Sequence, residues 1–148
     1  MSFKRTLPFF IAFMIFLLDQ ATKFVVNAFL KTYESIVVLP FFQIVNVRNT
    51  GAAFGLFRGL GNGIFIALSL LAIVIVVAML LRSRDDHLAY SLILGGAMGN
   101  LTDRLLRGYV VDFLDFHLGS HHWPAFNVAD SALTIGITLL VVGLFVKR

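Results

Sequence analysis

Residues 125–146, AFNVADSALTIGITLLVVGLFV, closed by Lys147 and Arg148, decide the fold. At about 1.5 Å of helical rise per residue this run reaches roughly 33 Å, enough to cross the hydrocarbon of a bilayer. Its anomaly is Asp130. A carboxylate at a helix centre in lipid costs at least about 2.5 kcal/mol, so an ionisable group in such a place is a functional hypothesis by default. Working outward, three more acids, Asp19, Asp103 and Asp112, lie inside or beside long apolar stretches.

The whole chain has that character. Of 148 residues, 59% are hydrophobic and only 14% charged, beyond what a soluble domain of this size needs for its core. We expect an integral membrane protein forming one membrane-embedded domain over 1–148, because its few helices must pack on one another to hide their polar groups. A net charge of +4 would point to nucleic acid in a soluble protein. Here Lys4, Arg5, Arg82, Arg84, Lys147 and Arg148 flank apolar segments and read as topology signals instead, so no nucleic-acid partner is expected. With no cysteine, disulfides, thiol catalysis and thiolate metal ligands are excluded together.

Four crossings are expected, over about 7–30, 63–81, 88–106 and 125–146. The first begins like a secretory signal but has no small-residue cleavage site, and its apolar run resumes after Lys23, so it reads as a retained helix. The second is the cleanest, with Ser69 its only polar side chain. The third must continue through Asp103 and Arg104 to reach sufficient length. An even number of crossings puts both termini on one side together with six basic residues, and the positive-inside rule makes that side cytoplasmic. Between crossings, residues 36–57 and the GYVVDFLDF run within 107–124 are rich in β-branched and aromatic residues and suggest short strands at the outer interface. Asn49, Asn100, Asp103, Arg104, Asp112, Asn127 and Asp130 then all gather on the outer side, which points to a site near the outer leaflet.

Within DQATK, Asp19 and Lys23 are four apart on one helix face and fit a structural ion pair. In GGAMGNLTDR, Gly95 and Gly99 allow close helix approach, while Asn100, Asp103 and Arg104 are expected to stack on one face at i, i+3 and i+4. Arg104 can hold Asp103 ionised, and it suits either bracing or substrate contact. Asp112 in YVVDF and Asp130 in FNVAD, with Asn127 three residues before it, are candidates to converge. Two such carboxylates share a proton, so that one serves as base for a water and the other as acid for the leaving group.

Other chemistries find less support. HLGSHH, with His117, His121 and His122, reads as a wet loop rather than a metal site, and HExxH is absent. There is no GxSxG serine, and Ser131 has no evident base. GAAFG lacks the Lys and Ser/Thr of a phosphate loop, and its small residues read instead as admitting a peptide backbone. An ion-coupled transporter would also place carboxylates in helices, but it needs polar groups through the full bilayer depth, and the inner halves of crossings two to four hold little more than Ser91 and Thr138. A non-catalytic lipid-binding protein would not need two acids on one rim.

DQATK, RNTGAAFG, GGAMGNLTDR, GYVVDF and PAFNVADSAL, in that order, resemble the bacterial lipoprotein signal peptidase (signal peptidase II) family, from about Asp19 to Gly136. The resemblance implies an all-α membrane protein of four transmembrane helices with a small extracytoplasmic β-cradle, in the bacterial cytoplasmic (inner) membrane. It implies an aspartic endopeptidase that cuts prolipoproteins before a diacylglyceryl-modified cysteine, with Asp112 and Asp130 catalytic. Asn49, Asn100, Arg104 and Asn127 match positions lining the site, and Asp19, Lys23, Gly51, Asp103 and Ala129 match supporting ones. The expected partners are those substrates and membrane lipid, the expected state is a monomer, and no cofactor or metal is implied.

Overall fold

A computed structural model describes residues 3–51, 61–82 and 86–146. The GAAFG stretch beyond Gly51, and the basic residues Arg58, Arg84, Lys147 and Arg148, lie outside the described residues. Along the chain come α1 (Phe3–Phe29), β1 (Ser35–Leu39), β2 (Phe42–Asn49), α2 (Gly61–Arg82), α3 (His87–Arg107), β3 (Val110–Leu118), β4 (His121–His122) and α4 (Val128–Val146). The result is a mostly helical membrane protein carrying a small antiparallel sheet. By length and apolarity alone, α1, α2 and α4 qualify as spans. The third helix does not, because Asp103, Arg104 and Arg107 fill its last turn.

What α3 lacks in apolarity it supplies in small residues, and it sits at the centre of the bundle, packed on α1, α2 and α4. A side chain on Gly95 would put its Cβ 2.6 Å from the carbonyl oxygen of Ala12 in α1, and one on Gly96 would meet the carbonyl of Ala129 in α4 at 2.5 Å. Backbones this close gain van der Waals contact that lipid cannot match. Most of α3 is buried, whereas α2 buries only Val76 and Leu80 and α4 only Ala129, Ala132 and Gly136, so those two helices turn their bulk outward.

The sheet is an antiparallel meander in the order β1-β2-β3-β4. Val47 pairs with Asp112 and Asn49 with Val110, which sets the carboxyl of Asp112 at the β2–β3 seam nearest the helices. A left-handed Gly108 ends α3, its N–H donating to the Arg104 carbonyl at 3.2 Å, and the chain turns directly into β3. Buried Asn46 ties β2 to α1 by donating to the Leu30 carbonyl at 2.9 Å and to Asn27 Oδ1 at 3.2 Å.

Two expectations are corrected. The last crossing was expected from residue 125, but α4 starts at Val128, because Phe126 pairs with Leu114 of β3 and Asn127 serves as the helix cap. HLGSHH is not a loop alone: it forms the β3–β4 hairpin about Gly119, with His122 Nδ1 2.9 Å from Asp115 Oδ2, though His121 and His122 are exposed.

Candidate active site

Asn127 and Asp130 begin α4 with reciprocal bonds. Asn127 Oδ1 accepts from the backbone N–H of Asp130 at 2.9 Å, and Asp130 Oδ2 accepts from that of Asn127 at 3.3 Å. This is a capping box with an acid at its third position. It fixes the Asp130 carboxyl over the first turn of the helix.

The same Asn127 reaches the other acid, donating from Nδ2 to Asp112 Oδ1 at 2.7 Å and to Asn100 Oδ1 at 3.3 Å. Asn100 in turn donates to Asp130 Oδ1 at 2.7 Å. The two carboxyls are thus linked through two amides. Asn49 completes the set, donating from Nδ2 to Asp112 Oδ2 at 2.9 Å while its Oδ1 accepts from the N–H of Gly51. Neutral amides, rather than cations, make these direct contacts to both acids, and that leaves the pair free to hold a proton. Burial, followed by the charge of Asp130, pushes the Asp112 carboxyl up to about 7 from 3.8, against the hydrogen bonds of Asn49 and Asn127 and the charge of Lys23.

Behind Asn100 lies a fully buried charge cluster. Lys23 Nζ is 2.8 Å from Asp19 Oδ2, 3.1 Å from Asp103 Oδ2 and 3.0 Å from Asn100 Oδ1. Because an ammonium only donates, it holds Asn100 with its oxygen inward and its Nδ2 toward Asp130. Asp19 Oδ1 accepts from the N–H of Ala129 at 2.9 Å and so caps α4 from a different helix. Asp103 pairs with Arg107 as well, and its Oδ2 accepts from the N–H of Val111 at 3.1 Å, which anchors β3 beside Asp112. Ala129 is fully buried where α4 meets α3.

Asp112 and Asp130 open onto one cavity of about 520 Å³, lined also by Asn49, Gly51, Asn100 and Arg104, and continuing between α2, α3 and α4 past Phe65, Ser69 and Thr134. The structure departs from the expected arrangement at two residues. Asn127 does not line this cavity; it is fully buried and lies behind the two acids, where it bridges them. Asp103 does not share the Arg104 face, because the i+3 position points toward α1 and Lys23 while Arg104 lies 5.3 Å over the Phe65 ring in α2. Two contributors went unrecognised in the sequence. Arg107 sits four residues after Asp103, a legible i,i+4 signal. Gln20, which donates to Asp19 Oδ2 at 3.0 Å and to the Gly99 carbonyl at 3.1 Å, carried none.

Comparison with known proteins identifies relatives along most of the chain. The family model described as Signal peptidase (SPase) II matches residues 11–146. The chain is 50% identical over 129 residues to the lipoprotein signal peptidase of Thermodesulfovibrio yellowstonii, covering 87% of this chain and 88% of that one. It is 43% identical over 142 residues to that of Alteromonas mediterranea, covering 91% and 78%. A solved bacterial membrane enzyme superposes with a TM-score of 0.86 at 34% identity, covering 93% of this chain and 87% of that chain.

Proposed function

The chain belongs to the signal peptidase II family, and from that premise we propose that it is an aspartic endopeptidase that removes the signal peptide from diacylglyceryl-modified prolipoproteins, cutting before the lipidated cysteine. The observation that carries the reading is that Asp112 and Asp130 open onto one cavity while Asn127 and Asn100 bridge them.

In this reading all four helices cross the cytoplasmic membrane as one domain, with α3 as the crossing whose charged turn emerges at the outer leaflet. Both termini lie in the cytoplasm, on the side of the basic flanks. The signal helix lies among the crossings, the acyl chains stay in lipid, and the scissile bond reaches the acids at the interface, where water is available.

Hydrolysis then needs one proton on the pair. Asp112, raised to about 7, carries it at or below neutral pH. Asp130 takes a proton from the attacking water as its oxygen bonds to the scissile carbon, and Asp112 gives its proton to the carbonyl oxygen. Collapse of the tetrahedral diol breaks the C–N bond and delivers a proton to the leaving amine, and the pair regains its single proton. Asn49, Asn100 and Arg104 line the cavity as substrate contacts, while Asn127 positions both acids from behind.

The test is incubation of the purified protein with a diacylglyceryl prolipoprotein and with the same protein lacking the lipid, followed on a gel. Release of the signal peptide from the lipidated form alone is expected. Flux of ions across proteoliposomes without any cleavage would instead favour a transporter.

A further inference from the structure

Most hydroxyls on the helices of this protein are spent on their own backbone. Thr22, Ser91, Thr102, Ser131 and Thr138 each donate to the carbonyl four residues back, at 2.6–2.9 Å. That is the usual way for such a group to be satisfied in apolar surroundings. Among the described residues, Ser69 and Thr134 make no such bond, and they are the two helical hydroxyl residues that line the cavity.

Their placement is specific. Thr134 follows Asp130 by four residues, so it lies on the same face of α4 about 6 Å further along the helix. Ser69 follows Phe65 by four, one turn along α2 from the ring that Arg104 overlies. The two hydroxyls stand on different walls, one turn inward of the polar rim, with small Ala72 and Ala97 in the lining beside them. The cavity between these walls has a volume of about 520 Å³, and among the described elements α2 packs substantially on α3 alone.

A peptide bond inside a helix is a poor substrate, because its carbonyl is committed to the N–H four residues on and its faces are shielded. A signal helix that delivers its end to the two acids must therefore unwind over the residues ahead of the cut. In the hydrocarbon region the freed backbone groups find no water, and leaving them unsatisfied is costly. A hydroxyl can both donate and accept, so it can serve a freed carbonyl or a freed N–H whatever side chains the substrate carries. We propose that Ser69 and Thr134 are substrate-binding residues that hydrogen-bond the unwound backbone of the signal peptide immediately ahead of the scissile bond. This rests on the peptidase reading above.

The experiment uses the purified full-length protein, a lipidated prolipoprotein peptide, and a second peptide in which one backbone amide in the last turn before the cut is replaced by an ester, which weakens the carbonyl acceptor. Ser69→Ala and Thr134→Val each lower kcat roughly fivefold to tenfold, the effect of about one hydrogen bond, with KM little changed because the bonds form only once the helix has opened. Ser69→Thr and Thr134→Ser stay within about twofold of the parent. The ester slows the parent but slows the double variant no further, and the unfolding midpoints of all variants match that of the parent. A double variant that cuts at the parent's kcat, or that loses the same factor again on the ester, overturns the proposal. A parent that leaves the lipidated peptide intact overturns the peptidase reading together with it, whereas a parent that cuts beside an equally active double variant overturns this proposal alone.

Discussion

Replacing Lys23 by Met removes a cation that touches two fully buried carboxylates. Lys23, Asp19 and Asp103 are each 0% exposed, and the ammonium lies 2.8 Å and 3.1 Å from the two acids. With Arg107 on Asp103 the set is electrically neutral, two positive charges against two negative. Met fills the volume of the stem but leaves one buried negative charge without a partner, and breaking a buried pair in this way costs about 3–5 kcal/mol. That is a large share of the roughly 5–15 kcal/mol that holds a typical protein folded. Asp19→Asn alone costs less, because Lys23 keeps Asp103 and the asparagine oxygen can still accept from Ala129 N–H. The double variant Asp19→Asn/Lys23→Met restores neutrality, so it is more stable than the sum of the single losses by at least about 1 kcal/mol. The assay is unfolding by dodecyl sulfate in mixed micelles, followed by circular dichroism. A Lys23→Met midpoint within about 0.5 kcal/mol of the parent, or strict additivity in the double variant, would refute the reasoning.

Three further outcomes follow from other parts of the structure. Asn127→Ala removes a helix cap worth about 1 kcal/mol together with the amide between the two acids, so unfolding shifts by roughly that amount while the cleavage rate drops well over tenfold. Gly96→Ala places a methyl 2.5 Å from the Ala129 carbonyl and 2.9 Å from Leu133 Cγ, and the micelle titration reads a loss of about 1–3 kcal/mol as α3 and α4 are pushed apart. For pH, the folded chain holds the Asp112 proton more tightly than the unfolded chain does, so this contribution to stability is full below 3.8 and is lost as pH rises to about 7. Cleavage declines as pH climbs through the same upper value, and in Asp112→Asn the stability slope across that window flattens.

Much of this was legible because lipid imposes severe rules. Uninterrupted apolar runs had to be helices, and Asp19 with Lys23, four apart, had to pair or be unaffordable. The β-branched stretch read at 36–57 and the GYVVDFLDF run likewise announced strands, which the structure places at Ser35–Leu39, Phe42–Asn49 and Val110–Leu118. Where the reading failed, the deciding contact lay far away in sequence. Nothing near Asp19 announces that its carboxylate caps a helix 110 residues later, and nothing in FNVAD says that Asn127 turns its amide backward onto β3 rather than into the cavity. The orientation of Asp103 was likewise misjudged, because an i, i+3, i+4 set spreads over enough of the helix circumference for Lys23 on α1 to claim one member while Phe65 on α2 holds another. The start of α4 was read three residues early because Ala125 and Phe126 are apolar, yet Phe126 is spent on pairing with Leu114.

The central claim of the proposed function is that Asp112 and Asp130 act as a unit on one peptide bond. Single-turnover cleavage of a diacylglyceryl prolipoprotein by Asp112→Asn, Asp130→Asn and the double variant, each checked for parent-like unfolding, tests it most directly. Members of a unit are non-additive, so each single change should abolish nearly all activity and the second should remove nothing more. Substantial cleavage by either single variant, or losses that multiply in the double variant, would contradict it.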